Sequence, residues 1–380
     1  MFMKHLLFVI SSIVLFTIVY FLVYQQVYSG GYPSDTREHI TILYRYVYEQ
    51  GYYIAHPLWH ITSYLLSTIL FISVEYGVII TSSLYVLLWY TIVYLFITQK
   101  LNNLYSTNIL VFISLVVVLI GPLSIPWYYT VIFHGQGSPN IWHNVTLWSV
   151  KPFALLSIWF AIDGLDTKNK KLLLWAGLFT IVSIFAKPSF IIMFLPALLI
   201  YAIAMRLYKD YYFISYFLTI SSLSIAVLLY QYSHTFNQDE GKIIIDFLGV
   251  WSLSSLNIPI SIFLALAFPL IFVLMRLEIL NERYIMISWI MIFISIIYYA
   301  LFAQTGRFYS HANFGWSYMI AMSLLYLFSI VRFFTIYYDL SLFKRYTLLT
   351  LLMIQTLIGI YYLVHMLMGQ NPLYINFYWS

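Results

Sequence analysis

Apolar runs long enough to cross a lipid bilayer recur from one end of this 380-residue sequence to the other. A transmembrane helix requires about 20 consecutive, predominantly apolar residues. The polar segments between the runs are all too short to form a separate soluble domain. The sequence therefore predicts an all-α polytopic membrane protein in which residues 1–380 form a single transmembrane domain.

The composition supports this class and excludes several others. Hydrophobic residues make up 63% of the chain and charged residues 8%, whereas soluble proteins are about 45–50% apolar. The absence of cysteine excludes disulfides, thiolate metal sites and cysteine nucleophiles. No P-loop, GxGxxG, HExxH or GxSxG motif occurs. The net charge is +5. In a membrane protein, Lys and Arg residues mark the cytoplasmic loops, so we predict no nucleic-acid partner.

The positive-inside rule arranges the apolar runs into about 11 spans. Lys4 places the N-terminus in the cytoplasm, and the segment after the first run lacks a small-residue cleavage site, so this run is predicted to be retained. The short run 57–73 is predicted to be a surface or re-entrant helix, because a span here would place Lys100 outside. The C-terminus is then outside. The predicted spans are 6–24, 77–98, 108–122, 150–163, 172–186, 189–205, 211–230, 258–275, 284–303, 314–331 and 347–367.

This topology separates a basic inner face from an outer face that carries most of the histidines and other polar groups. All but six of the 18 Lys and Arg residues fall inside, and all histidines except His5 fall outside. The outer polar groups concentrate in a first outer loop, 25–76, and a second outer loop, 123–150. The six outer cations are Arg37, Arg45, Lys151, Lys187, Lys242 and Arg307.

The first outer loop carries the candidate catalytic residues Asp35, Glu38 and His39. Residues 34–50 are predicted to form an amphipathic helix on the membrane surface, and Asp35 and His39 would share one face of it. Asp35 is a candidate general base, with Glu38 or His39 beside it. In the alternative interpretation, Asp35 caps the helix and Glu38 completes a capping box.

Two histidines of the same loop, His56 and His60, have the i, i+4 spacing and flank Pro57. This spacing is compatible with a metal site, but the sequence fixes no third ligand. The start of an interfacial helix, with Pro57 in its first turn, is one interpretation. Contact with a substrate is the other, and we therefore include both histidines among the candidate substrate-binding residues.

The second outer loop supplies neutral hydrogen-bonding groups together with the indole rings of Trp142 and Trp148. Such a combination suits the hydroxyls and the apolar faces of a sugar, although a structured loop without a ligand remains an alternative. Lys151 follows at the predicted membrane edge. The candidate substrate-binding residues of this segment are His134, Asn140, His143, Asn144 and Lys151.

Two further outer segments contain cations that favour phosphate binding. Lys187 lies between two apolar runs, where a charge is costly unless it faces a cavity or a partner. Arg307 lies in a short polar loop with His311 and Asn313. An ammonium binds phosphate as a point charge and a guanidinium binds it as a fork. Anchoring to lipid headgroups is the alternative for both cations.

The predicted architecture resembles the GT-C superfamily of integral-membrane glycosyltransferases, which includes oligosaccharyltransferases, protein O-mannosyltransferases and lipid A aminoarabinose transferases. The resemblance covers most of the chain: an inward N-terminus, a first span, an outer loop with an early aspartate, and alternating spans. Asp35 in SDTREHI matches the acidic residue of the family's first outer loop. The family's second acidic motif is replaced by HGQGSPNIWHN, which has no carboxylate.

The resemblance implies a transferase of the cell envelope in a bacterial plasma membrane. It would move a sugar from a polyprenyl-(pyro)phosphate donor to a saccharide, lipid or protein acceptor. Membrane lipid would surround the protein. A divalent metal, Mg or Mn, is a candidate cofactor, and the missing second carboxylate leaves open a metal-independent reaction with Asp35 alone as base. Two alternatives remain: a polysaccharide polymerase or O-antigen-ligase-type enzyme, which would depend more on Arg307, and a lipid-linked-sugar flippase or transporter, which would need polar groups deep in the membrane.

Overall fold

The computed structural model describes residues 2–32, 34–125, 135–235 and 241–370, and within them the chain is almost entirely helical. The first nine helices are α1 (Phe2–Tyr28), α2 (Thr36–Tyr48), α3 (Leu58–Leu70), α4 (Val74–Leu101), α5 (Thr107–Leu119), α6 (Val145–Thr167), α7 (Lys170–Ala186), α8 (Ser189–Ala204) and α9 (Tyr211–Thr235). The others are α10 (Gly249–Ser252), α11 (Ile258–Ala265), α12 (Ala267–Met275), α13 (Arg283–Leu301), α14 (Gly315–Thr335) and α15 (Leu342–Leu367). Two short strands, β1 (Ile243–Ile245) and β2 (Phe302–Gln304), pair antiparallel.

The expectation of an all-α polytopic membrane protein is confirmed. Among the described residues, seven helices are long and apolar enough to cross a membrane, and α11 with α12 adds an eighth if this pair, bent by 76°, is one span. The predicted spans 108–122 and 189–205 fall on shorter apolar helices, α5 and α8. Eleven crossings therefore remain a prediction.

Helix α14 forms the centre of the bundle. It packs against α4, α5, α6, α8 and α13, and 94% of its most apolar window is buried. Only 22% of the corresponding windows of α1 and α9 is buried, so these two helices lie at the periphery. An apolar helix buried on all sides is typical of the middle of a membrane bundle, and its N-terminal end is positioned to form part of a site.

The polar groups collect at two opposite ends of the bundle. At one end, which we call the basic end, Lys100 pairs with Asp163 at 3.1 Å, Arg332 pairs with Glu282 at 2.9 Å, and Arg283 pairs with Asp166. At the other end, which we call the site end, the segments before α2, α3 and α6 meet the turn between α7 and α8. The side of the membrane that each end faces remains the prediction made from the basic residues.

The first predicted outer loop contains the two expected helices, and the second contains helix that the sequence did not predict. In the first, α2 falls within the predicted 34–50 and buries Ile40 and Leu43; that it lies on a membrane surface stays a prediction. The apolar segment 57–73 forms the short helix α3, which packs against α4 where Gly77 approaches Ser63 and Ser67. In the second, α6 already begins at Val145, so the last six residues of the predicted loop are helical.

Helix α15 is held against the end of α5 by two glycines. Gly359 faces Gly121, and a Cβ atom at Gly359 would overlap the carbonyl oxygen of Leu119. We expect Gly359→Leu to separate the two helices and lower the thermal unfolding midpoint of the detergent-solubilised protein, because overpacking costs about 1–3 kcal/mol. In the control Gly177→Ala, the added carbon would meet only Ile220 at 3.5 Å. An unchanged midpoint for Gly359→Leu would contradict this close approach.

Candidate active site

A cavity of about 460 Å³ opens at the site end of the bundle, and we call it the polar cavity. It brings together residues from four segments that lie far apart in the sequence. The sequence predicted most of its polar lining. The lining residues are Ser34, Asp35, Glu38, His39, Ile42, His56, His143, Asn144, Lys187, Phe308, Ser310, His311, Asn313 and Trp316.

Asp35 presents its carboxylate to this cavity. It occupies the N-cap position of α2, but its side chain makes no capping hydrogen bond. Oδ2 accepts a hydrogen bond of 2.6 Å from the side-chain amide of Asn144, whereas Oδ1 has no hydrogen-bond partner among the described residues. The side chain is 26% exposed. The geometry thus argues against the capping interpretation and leaves one buried carboxylate oxygen without a hydrogen bond from the described residues.

Asn144 is held in place by the helix that follows it. Its side-chain oxygen caps α6 by accepting from the backbone amide of Leu147 at 2.8 Å and from the Thr146 hydroxyl at 3.0 Å. With the oxygen committed to these donors, the amide nitrogen is directed at Asp35. A capping interaction in α6 therefore orients the carboxylate at the start of α2.

A second set of hydrogen bonds ties the first span to both loops. The Thr36 hydroxyl donates to the side-chain oxygen of Gln26 at 2.6 Å, and the Gln26 amide donates to the Trp142 carbonyl at 2.7 Å. Gln26 and Thr36 are fully buried. Because buried polar groups are costly to leave unpaired, this chain of contacts fixes α2 relative to residues 142–144.

Lys187 brings a positive charge to the same cavity from the turn between α7 and α8. Its ammonium donates to the Thr146 hydroxyl at 3.0 Å and lies 4.8 Å from the centre of the Trp316 ring. Only 7% of the residue is exposed. Burial lowers the pKa of the Lys187 ammonium, and the negative charge of Asp35 opposes that shift. The cation is thus buried, faces a carboxylate and has capacity for a further anion.

Burial also acts on the carboxyl group. It raises the pKa of Asp35, the cation of Lys187 lowers it, and the neighbouring charge of Glu38 raises it further. A carboxylate with a raised pKa is a stronger base than an exposed one. Burial together with a specific charged partner inside a cleft is typical of functional sites.

Three histidines form a neutral wall beside Asp35. His39 Nε2 lies 3.7 Å from Asp35 Oδ2, and His39 Nδ1 lies 3.2 Å from His60 Nε2. Burial, first of all, lowers the pKa values of His39 and His56 well below the usual range. The close approach of His39 to Asp35 is consequently not an ion pair. Within the described part of the cavity, Lys187 is the one lysine or arginine in the lining.

The donor set of the site does not fit a metal centre. In the residues that the structure describes, no group of three or more histidine or carboxylate side chains is arranged to hold a metal ion. Hard cations such as Mg²⁺ require several oxygen ligands, and the second acidic motif expected from the resemblance is replaced by amides. The described side chains of the site therefore offer a hard cation too few ligands, and the divalent metal remains a prediction.

Several candidate residues lie away from the polar cavity. Lys151 donates to the Pro139 carbonyl at 2.7 Å and to the Asn140 side chain at 3.1 Å, and Asn140 donates to two carbonyls at the end of α5. Both hold the second loop in place instead of lining the cavity. His60 is buried behind His39. His134 lies outside the described residues, as does the side chain of Arg307.

The cavity also contains residues that the sequence did not single out as site residues. Trp316 and Phe308 supply ring surfaces, and Ser34 and Ser310 supply hydroxyls. Trp316 and Phe308 belong to a polar outer segment that attracted attention for Arg307 and His311. Aromatic residues recur throughout the sequence, so nothing in their type or spacing separates these two from structural ones.

A second cavity adjoins the polar cavity, and we call it the apolar groove. It has a volume of about 490 Å³ and runs between α8 and α9. Most of its lining is aliphatic or aromatic. Four residues line both cavities, namely His56, Lys187, Asn313 and Trp316. The ammonium of Lys187 thus lies where a polar space meets an apolar one.

A comparison with protein-family models, curated proteins and solved structures finds no match to this chain.

Proposed function

We propose that this protein is a membrane glycosyltransferase that transfers a sugar from a polyprenyl-(pyro)phosphate donor to an acceptor hydroxyl. The observation that supports the proposal is the placement of two ionisable side chains. Asp35 and Lys187 line one polar cavity, and Lys187 also lines the apolar groove beside it. A transfer reaction whose leaving group is a phosphate on a lipid tail needs a base for the acceptor, a cation for the phosphate and an apolar groove for the tail.

The apolar groove suits the hydrocarbon part of the donor. Its walls include Ile192 of α8 and Ile225, Leu228 and Leu229 of α9. Ile192, Ile225 and Leu229 are at least a third exposed, so the groove is open towards the side where lipid would lie. A polyisoprenoid chain would enter between α8 and α9 and bring its phosphate to Lys187.

The polar cavity suits the sugar and the acceptor. Trp316 offers a ring face to the apolar side of a pyranose, and His143, His311 and Asn313 offer hydrogen-bonding groups. Asn144 acts indirectly by orienting Asp35. A volume of about 460 Å³ lies within the range of ligand-binding pockets.

The transfer step balances with these groups alone. The acceptor oxygen forms a bond to the anomeric carbon while the bond from that carbon to the phosphate oxygen breaks. The acceptor proton passes to the carboxylate of Asp35, and the electron pair of the broken bond stays on the phosphate. Lys187 stabilises the negative charge that develops there, as preorganised cations do in phosphate chemistry.

The proposal includes the location of the protein. We place it in a bacterial plasma membrane with about 11 crossings, a cytoplasmic N-terminus and a C-terminus outside. The polar cavity then faces outward, because the basic end with Lys100 and Arg332 faces the cytoplasm. Its products would be cell-envelope polysaccharides or glycolipids.

The direct test is turnover by the purified protein in liposomes. A panel of polyprenyl-phosphate and polyprenyl-pyrophosphate sugars is offered with saccharide, lipid and peptide acceptors. We expect a glycosylated acceptor and free polyprenyl (pyro)phosphate to appear in equal amounts. Movement of an intact lipid-linked sugar across the bilayer without release of the lipid phosphate would indicate a flippase and contradict the proposal.

The shifted pKa values give the reaction a defined pH dependence. Transfer needs ionised Asp35, so kcat/KM falls as the pH drops through a pKa that burial raises above the ordinary value of about 3.9. It also needs charged Lys187, so kcat/KM falls as the pH rises through a pKa that burial lowers below about 10.4. We expect Glu38→Gln to move the acidic limb to lower pH, because the charge of Glu38 raises the Asp35 pKa. A profile without an acidic limb above about pH 5 would contradict the assignment.

A further inference from the structure

A groove distinct from the proposed active site lies at the basic end, between α7 and α9. It encloses about 510 Å³, and α7 contributes Leu173, Leu174, Gly177 and Leu178 to its walls. The facing wall of α9 carries hydroxyl groups of Ser215 and Thr219 among apolar residues. We call it the α7–α9 groove.

The groove exists because α7 presents a glycine to α9. A Cβ atom at Gly177 would find Ile220 at 3.5 Å, so a residue with a long side chain at this position would extend into the space. The neighbouring Leu174, Leu178 and Leu223 are about half exposed or more, which places the groove on the outside of the bundle. In a membrane, this surface is covered by lipid chains.

A lysine lies at the mouth of the groove, at the basic end of the bundle. Lys170 lines the mouth, and its ammonium lies 6.0 Å from the centre of the Tyr212 ring. Within the described part of the chain, Lys170 is paired with no carboxylate. The nearby carboxylate of Asp210 caps α9 through the amides of Tyr212 and Phe213.

The segments beside the mouth make this corner of the molecule strongly basic. Residues 168–171 and 206–209 contain five cations, Lys168, Lys170, Lys171, Arg206 and Lys209. The acidic residues there are engaged, since Asp166 pairs with Arg283 and Asp210 caps a helix. Basic residues at a membrane surface attract anionic headgroups, at about fivefold in affinity for each cation.

We propose that the α7–α9 groove is a binding site for an anionic phospholipid of the leaflet at the basic end. One acyl chain lies along Gly177, and the headgroup phosphate binds Lys170. The charge complementarity at the mouth selects an anionic lipid over a zwitterionic one, and the long apolar walls select a lipid over a free phosphate ion. This site lies at the opposite end of the bundle from Asp35 and is independent of the proposed transfer reaction.

The experiment measures which lipids the protein retains in native mass spectrometry after reconstitution with equal amounts of phosphatidylglycerol and phosphatidylcholine. We expect the wild-type protein to retain phosphatidylglycerol preferentially, and inorganic phosphate to leave this preference unchanged. Lys170→Gln should lower the preference about fivefold. Gly177→Leu should remove the bound lipid by filling the groove.

Two matched controls make the test specific. Lys171→Gln removes an equal charge from the next residue, which does not line the groove, and Gly177→Ala adds a carbon that makes an ordinary contact. Gly177→Ala should retain lipid as the wild type does, and Lys171→Gln should lower the preference less than Lys170→Gln, because Lys171 does not line the groove. Equal retention of the two lipids by the wild type, or equal losses in Lys170→Gln and Lys171→Gln, would overturn the proposal. So would conversion of a dimer to a monomer by Gly177→Leu with lipid retention unchanged, because the groove would then be an interface between two copies.

Discussion

Replacing Asp35 with asparagine is expected to reduce sugar transfer by about 10²–10⁴-fold, the range typical of a positioned general base. The substitution preserves the shape of the side chain and an oxygen that can accept the hydrogen bond from Asn144, which is 2.6 Å long in the native protein. It removes the capacity to accept a proton from the acceptor hydroxyl. The measurement is kcat/KM with a lipid-linked donor, and donor binding should change little.

Glu49→Gln is the matched control for Asp35→Asn. Glu49 is an exposed carboxylate just after α2 that pairs with Arg45 at 3.0 Å, outside the polar cavity. Its substitution removes the same charge near the same helix and should leave kcat/KM unchanged. Near-wild-type transfer by Asp35→Asn, at normal expression and an unchanged unfolding midpoint, would exclude Asp35 as the base.

Replacing Lys187 with methionine is expected to reduce kcat by about 10²–10³-fold, the loss that follows removal of one preorganised group that stabilises developing negative charge. Methionine keeps the apolar stem that lies beside Trp316, where the ammonium is 4.8 Å from the ring centre. The affinity for polyprenyl phosphate should also fall, because the phosphate loses its cation at the junction of the two cavities.

The same variant offers a readout that a purely structural role would leave unchanged. The charge of Lys187 lowers the pKa of Asp35, so its removal should raise that pKa. The acidic limb of the residual activity should therefore move to higher pH. Lys171→Met, which removes an exposed cation at the basic end, is the control and should shift neither kcat nor the limb. An unshifted acidic limb in Lys187→Met would mean that the charge of Lys187 does not act on the pKa of Asp35. This result would contradict a shared site.

The sequence was sufficient to predict the helical membrane class and most of the polar cavity. Charged, amide and imidazole side chains are rare in an apolar chain, so Asp35, His143 and Asn144 were candidates, and the structure brings them together. Helix α2 was also predictable, because Ile40 and Leu43 follow the helical period and bury one face.

The sequence did not distinguish a site lysine from a scaffold lysine. Lys151 and Lys187 both lie at the edge of an apolar run, yet Lys151 binds Pro139 and Asn140 while Lys187 faces Asp35 across the cavity. This difference depends on which helices are neighbours, and hydrophobic periodicity carries no information about that. The Asn144 contact with Asp35 was unpredictable for the same reason, since it depends on the start of α6 meeting the start of α2.

Cavities depend even more on packing than single contacts do. The apolar groove between α8 and α9 arises from residues such as Ile192 and Leu229, which in the sequence resemble any other lipid-facing side chain. Trp316 was overlooked as a site residue because it is one of 11 tryptophans. Only the three-dimensional arrangement shows that Trp316 lines both the groove and the polar cavity.

The phosphate of the lipid donor is expected to lie at Lys187, between the apolar groove and Asp35. A cryo-electron microscopy map of the protein in nanodiscs with bound polyprenyl phosphate tests it most directly. We expect phosphate density within hydrogen-bond distance of the Lys187 ammonium, and isoprenoid density running between α8 and α9. Lipid density at another place on the bundle, with the space between Lys187 and Asp35 empty, would contradict the claim.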